Sequence, residues 1–292
     1  MNSSTVANEV QIRRASREDA ALCGRICYEA FTAINEQHRF PPDIPSPKIG
    51  IGLLEMLFAH PGFYTVVAEI DGQVVGSNCL DERSAIAGVG PLTVAPDVQN
   101  RSVGRMLMQA VIDRAYERSF PGIRLVQAAF HSRSLSLYTK LGFDAREQLS
   151  VVQGAPIGKV PDGWKVRRAT EGDLGQAAQL CEAVHGHHRS GELRDAMRQG
   201  IASVAERRGR ITAYSSGLGF YGHSVAESNL DLQALIGAAD EFSGPGILVP
   251  TRNSSLLRWC LENGLRIVEP MTLMTMGLYN EPKGAYLPSI AF

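Results

Sequence analysis

Val94-Ala-Pro-Asp-Val-Gln-Asn-Arg-Ser-Val-Gly-Arg105 is the stretch on which the fold turns. It ends an apolar run, Ile86 to Val94, that reads as a strand. It leads into a helix, because Val103, Met106, Leu107, Ala110, Val111 and Ala115 recur on one helical face. The first N–H groups of a helix have no internal partner, and the helix dipole adds to their pull on anions. A small residue at Ser102 and a glycine at Gly104 leave those amides open to a phosphate, where a larger side chain would block them. Arg101 and Arg105 add positive charge. Taken alone, the pattern also fits a strand–turn–helix whose glycine only eases packing.

Working outward, Tyr64 to Ile70 and Gln73 to Leu80 form a hairpin around Asp71-Gly72. Downstream, Val126 to Ala129 is a strand, followed by His131-Ser-Arg-Ser134 and a helix that ends at Leu141-Gly142-Phe143. The same order then returns. Val10-Gln-Ile-Arg-Arg-Ala-Ser-Arg-Glu-Asp19 resembles Trp164-Lys-Val-Arg-Arg-Ala-Thr-Glu-Gly-Asp173, at an offset of 154 (164 − 10). The apolar stripe Cys23, Ile26, Cys27, Ala30 and Phe31 has its counterpart in Ala177, Leu180, Cys181 and Val184. Ile247 to Pro250, Asn253-Ser-Ser255 and a helix to Asn263-Gly264-Leu265 repeat the closing part. Gly142 and Gly264 stand where helices take a C-terminal glycine. Residues 151–163, rich in Gly and Pro from Gln153 onward, read as a linker. The sequence predicts two similar α/β domains, residues 1–150 and 164–292.

Composition narrows the function. Twenty-nine Lys+Arg against 30 Asp+Glu give a net charge of -1, which excludes a general affinity for nucleic acid or anionic membrane. No apolar run is long enough to span a bilayer, and Met1 to Val10 lacks the apolar core of a secretory signal. Five scattered cysteines make a poor disulfide set. Cys23 and Cys27 have no neighbours to complete a zinc site and read as buried thiols, in keeping with a cytoplasmic protein.

Gln99-Asn-Arg-Ser-Val-Gly104 resembles the Gln/Arg-x-x-Gly-x-Gly/Ala acetyl-CoA loop of the GCN5-related N-acetyltransferases, the GNAT family, and Val94 and Pro96 match the positions ahead of it. Leu137-Tyr-Thr-Lys-Leu-Gly-Phe143 resembles the family's second signature. The resemblance covers residues 8–148 and makes the whole chain similar to a tandem-GNAT protein with a degenerate second copy. It implies, in each domain, a mixed, splayed central sheet flanked by helices. Main chain at Leu92, Thr93 and Val94 would hold the pantetheine of acetyl-CoA as an added strand. Gln99, Asn100, Arg101, Ser102, Val103, Gly104 and Arg105 would hold the pyrophosphate, with Ser102 in place of the family's first glycine. His131 stands where the family often has Asn, and with Ser134 would contact the pantetheine arm.

The resemblance further implies direct attack of a primary amine, from a small molecule or a peptide, on the thioester. Tyr138, a phenol able to give a proton to the departing thiolate, is the candidate acid; a tyrosine packed under its helix is the other reading. The Val94 N–H is a candidate donor to the thioester oxygen. Asp81, Glu82 and His38 are candidate bases, each equally readable as a surface group. His38, Arg39 and Phe40 lie where the family lines its acceptor site.

In the second half, Val225 to Ile236 has no glycine pair and carries two acids, the wrong charge for a phosphate cradle, so one acetyl-CoA per chain is expected. The tail Tyr286-Leu-Pro-Ser-Ile-Ala-Phe292 is apolar and suits docking on a domain or on a second copy, as in a homodimer. Val184-His-Gly-His-His-Arg-Ser190 lacks the Cys or Asp that would complete a metal site, and reads as a polar loop or as an acceptor wall in which Arg189 holds an acidic group. A non-catalytic acetyl-CoA sensor and an assembly module are the competing functions.

Overall fold

The computed structural model describes residues 9–99 and 102–291. In chain order the elements are β1 (Gln11–Arg14), α1 (Ala20–His38), α2 (Pro47–Ala59), β2 (Phe63–Ile70), β3 (Gln73–Asp81), β4 (Ala87–Val89), β5 (Thr93–Val94), α3 (Val103–Glu117), β6 (Gly122–Ala128), α4 (Ser132–Lys140) and β7 (Asp144–Gln153). The later part adds β8 (Trp164–Arg168), α5 (Leu174–His185), α6 (Ser190–Arg198), β9 (Ser203–Arg207), β10 (Arg210–Ser215), β11 (Ser224–Ala226), α7 (Asn229–Gly237), β12 (Ile247–Pro250), α8 (Ser254–Glu262), β13 (Arg266–Gly277) and β14 (Ala285–Leu287).

The repeat persists at the level of atoms. Arg13 donates through Nη1 to Asp19 Oδ2 at 2.7 Å and through Nε to Glu69 at 2.9 Å. Arg167 makes the same bonds to Asp173 at 2.7 Å and to Glu206 at 2.8 Å. In both, the Asp Oδ2 also accepts from the backbone N–H three residues earlier, Ser16 or Thr170, and so fixes the strand-to-helix turn. Asp71 and Gly72 have φ of 51° and 74°, as a two-residue hairpin turn requires. Gly142 and Gly264 have φ of 98° and 88°, the left-handed conformation of a helix-ending glycine.

The compact units are not the two sequence halves. One unit comprises Met1–Gln37, Pro42–Asp81 and Val89–Ser119; the other comprises His38–Pro41, Glu82–Gly88 and Phe120–Phe292. In the first, β1, β2 and β3 pair antiparallel, and β5 pairs with β3. Helix α3 lies on β2 and β3. Of the face read from the sequence, Val103, Leu107, Val111 and Ala115 are buried while Met106 and Ala110 are half-buried; Met108 and Ile112 complete the inward face instead. The expected single strand Ile86 to Val94 is two short ones, because Pro91 has no N–H for a ladder. Cys23, Cys27 and Cys79 are buried free thiols. Gly76 lets β5 come close: a Cβ there would lie 2.6 Å from Thr93 O.

The second unit holds two sheets. One runs β14-β11-β10-β9-β8. The other runs β4-β6-β13-β7-β12, with β4 and β6 parallel at Ala87↔Ile123 and Gly88↔Arg124 and the rest antiparallel. That parallel ladder ends at Gly88; in the first unit Thr93 and Val94 pair with β3.

The order carries a strand exchange. Strand β7 is the repeat equivalent of β13, and β6 of β12, at an offset of 122 (264 − 142). β13 lies beside β6, and β7 beside β12, so each half borrows the other's last strand. Register confirms it. Met271 pairs with Ala128 and Leu149 with Pro250, and each partner differs by 122 from its counterpart. Bulges fall at matching points of the central β7–β13 pair. The expected domains 1–150 and 164–292 therefore share one sheet, and the linker begins after Gln153, since Val151 and Val152 are buried in β7.

Candidate active site

The first unit carries the loop that precedes α3. Ser102 is the N-terminal boundary residue of α3, with φ of 65° and ψ of 2°. That left-handed conformation costs a non-glycine residue about 1 kcal/mol. It explains why glycine suits this position and shows that serine tolerates it. Gln99 Nε2 donates to Val94 O at 3.3 Å and ties the loop back to β5. Thr93 is buried, and its hydroxyl is 3.5 Å from that of Ser77. Arg105 is exposed on the first turn of α3. Asn100 and Arg101 lie outside the described residues.

In the second unit, α4 carries His131, Ser134 and Tyr138 on one face, at spacings of three and four. His131 is its N-cap, and His131 Nδ1 lies 2.7 Å from Ser134 Oγ. Tyr138 is buried at the far end of this row. Burial pushes its phenol up to about 12, opposed by a hydrogen bond from Ser134, so it carries its proton across the physiological range. Burial, then Arg133 and His38, lower His131, so its ring is neutral at pH 7. Phe40 stacks on Phe130 with centroids 4.2 Å apart, and His38 leans on the same ring at 5.3 Å. The structure thus brings His38 and Phe40 beside the start of α4. Arg39 is exposed, with φ of 60°. Of the base candidates, Asp81 ends β3 opposite Phe63, and Glu82 precedes Arg83, which donates to Asp195 at 2.9 Å.

The corresponding features of the second half differ. β10 is the counterpart of β3, and Ala226 pairs with Ala213 as Val94 pairs with Gly76. Beyond Ala226 the N-terminus of α7 is occupied by the chain's own carboxylate. Asp231 accepts from Ser228 Oγ at 2.5 Å and from Trp164 Nε1 at 2.8 Å. Glu227 pairs with Arg210. The free edge of β11 is taken by β14, with Ala226↔Ala285 and Ser224↔Leu287. The apolar tail therefore docks on its own chain, along the edge equivalent to Thr93–Val94.

The histidine-rich loop is a loop, with Gly186 at φ 76° closing α5. Arg189 turns inward, contrary to the expectation of a wall facing an acceptor. It is buried and donates to Glu192 at 2.5 Å. Glu192 also receives Ser216 Oγ at 2.9 Å and lies 2.9 Å from His223 Nδ1. Burial alone would raise the Glu192 carboxyl; Arg189 and His223 outweigh it and hold it well below the usual range. Burial drives His187 down to about 4, with Arg124 and Arg189 adding to it. Among the described residues no group of His, Cys, Asp or Glu is arranged to hold a metal, and no helix is long and apolar enough to cross a membrane.

The family model for the acetyltransferase (GNAT) family matches residues 27–143. A Pyrococcus horikoshii structure described as an acetyltransferase is 18% identical, with 98% of this chain and 96% of that one covered and a TM-score of 0.76. A GCN5-related N-acetyltransferase from Sphaerobacter thermophilus is 15% identical, covering 95% and 98%, with a TM-score of 0.61. A tandem GNAT protein from the clavulanic acid biosynthesis pathway is 16% identical, covering 92% and 98%, with a TM-score of 0.58. No curated protein sequence matches the chain. Residues 27–143 thus match the acetyltransferase (GNAT) family, and these structures share the two-copy fold over nearly the whole chain.

Proposed function

We propose that the protein moves acetyl from acetyl-CoA to the primary amine of a small molecule or peptide, by direct attack, at one site per chain. The observation that carries this reading is the left-handed Ser102 at the start of α3, which turns the loop as the family's glycine would and leaves the helix amides for an anion. Gln99, Ser102, Val103, Gly104 and Arg105, with Asn100 and Arg101, would hold the pyrophosphate. Main chain at Leu92, Thr93 and Val94 would hold the pantetheine. When bound, acetyl-CoA supplies an acetyl group activated as a thioester.

The chain's own residues do the rest. Tyr138 keeps its proton at neutral pH and would release it to the departing thiolate. Ser134 fixes the phenol, and His131 fixes Ser134. Phe40, Phe130 and His38 offer the acceptor a flat apolar wall. The second half fits no acetyl-CoA: Asp231 fills its helix terminus, and β14 covers its strand edge. Calorimetry with acetyl-CoA, followed by thiol release across an amine panel, tests the reading. One site per chain and turnover with at least one amine are expected. Two equivalent sites, or binding with no turnover on any amine, would overturn it in favour of another role.

A further inference from the structure

In the second half, Val249, Leu256 and Cys260 share one apolar cluster with Ala285 and Leu287 of β14. There β14 fills the gap between two strands: it pairs with β11 along one edge and lies against β12 on the other side. The offset of 122 (264 − 142) carries this lining back to the first copy. Val249 corresponds to Gln127 on β6, and Leu256 and Cys260 correspond to Ser134 and Tyr138 on α4. The register agrees, since Val249 pairs with Ser150 and Gln127 with Thr272. Three apolar side chains beside a peptide strand thus correspond to three that can hydrogen-bond.

Two of those three have partners. Ser134 Oγ is 2.7 Å from His131 Nδ1 and bonds the Tyr138 phenol. Gln127 does not. It is 6% exposed, and among the described residues neither its Oε1 nor its Nε2 has a hydrogen-bond partner. A carboxamide buried in that way costs free energy that an apolar side chain would avoid. The twin position has the apolar solution in the fully buried Val249. The strand that bears Gln127 is also open on one edge. β4 pairs with β6 only as far as Gly88↔Arg124, and among the described residues no strand pairs with Leu125 to Ala128 on that side. The second copy has a filled gap and a valine; the first has a bare edge and a carboxamide.

We infer that Gln127 binds an amide of the pantetheine arm, with Nε2 donating to the amide carbonyl and Oε1 accepting the amide N–H. The inventories match: each carboxamide offers an acceptor and a donor to the other. In the second copy an apolar lining meets the apolar side chains of β14; in the first a polar lining would meet an arm that carries amides. This rests on the proposed acetyl-CoA site and deepens it, adding a side-chain contact to the main-chain one. It also defines a donor class. The donor is a thioester whose arm carries an amide, and simple alkyl thioesters lack the group that Gln127 reads.

Calorimetry with coenzyme A, and with adenosine 3′,5′-bisphosphate, which lacks the arm, tests the contact without turnover. Gln127→Met keeps the side chain's length and removes both polar ends. It should raise Kd for coenzyme A about tenfold, keep the bisphosphate within about threefold, and hold or raise Tm of the ligand-free protein. Gln127→Val copies the twin residue and should show the same split between the two ligands. Val249→Gln places the carboxamide in the second copy and should keep coenzyme A within about threefold. Unchanged coenzyme A affinity in Gln127→Met and Gln127→Val overturns the assignment while the acetyl-CoA site stands. Equal losses on both ligands, with an early melt, make Gln127 a packing residue and overturn it too. A wild-type protein that binds neither ligand overturns the acetyl-CoA reading and this inference with it.

Discussion

Leu149 and Met271 pair with each other at the centre of the second unit's larger sheet, and each is also the other's counterpart in the repeat. A residue that faces its own equivalent marks a pseudo-twofold axis. The strands around it are exchanged between halves, and the second half supplies β13 alongside β6.

Gly104→Glu should abolish acetyl-CoA binding in calorimetry, because it puts bulk and negative charge at the helix terminus. Asp231→Gly, at the equivalent helix of the second half, should create no second site, since β14 still covers the strand edge. A second binding event in Asp231→Gly would show that the carboxylate alone blocks that copy.

Tyr138→Phe should lower kcat by about 10²-fold with little change in acetyl-CoA affinity. Ser134→Ala should cost less and should add little on top of Tyr138→Phe, because both act on one proton. Fully additive losses would separate Ser134 from the phenol and return it to a packing role.

Glu192→Gln leaves the buried Arg189 without its full countercharge and should destabilise the fold by about 3 kcal/mol in urea titrations. Arg189→Met combined with Glu192→Gln should recover part of that loss. A neutral effect of Glu192→Gln would mean that water reaches the pair.

Acid should weaken the protein before its carboxylates titrate. His187 is about 4 when folded against 6.5 as the ordinary value, and burial also lowers His185 and His223. Below pH 6.5 the unfolded chain binds a proton at His187 that the folded one does not, so stability falls with pH at about 1.4 kcal/mol per unit from that histidine, and the lowered His185 and His223 act in the same direction. For His187 the loss ends near pH 4. Denaturant midpoints from pH 7 to 5 check this, and His187→Gln should flatten the slope.

Much of this was readable in the residues. The α3 helix, the Asp71-Gly72 turn and the C-terminal glycines are local chemistry, and the structure has them where expected. The strand exchange was not readable. Leu149, Val151, Met271 and Leu273 are interchangeable apolar residues on alternating positions, and nothing in such a pattern says which half's strand lies beside which. Arg189 was misjudged because a charged loop normally faces water, whereas this one closes on a buried glutamate.

The borrowed strands also set a timetable for synthesis. β6 and β7 leave the ribosome long before β12 and β13, the strands they pair with. For that interval each carries an unclaimed edge, the kind that recruits other chains. Cutting the polypeptide between the halves would therefore free neither as a working protein. Expressed as separate fragments and mixed, the halves should regain the sheet only by finding each other, as two subunits of a dimer would.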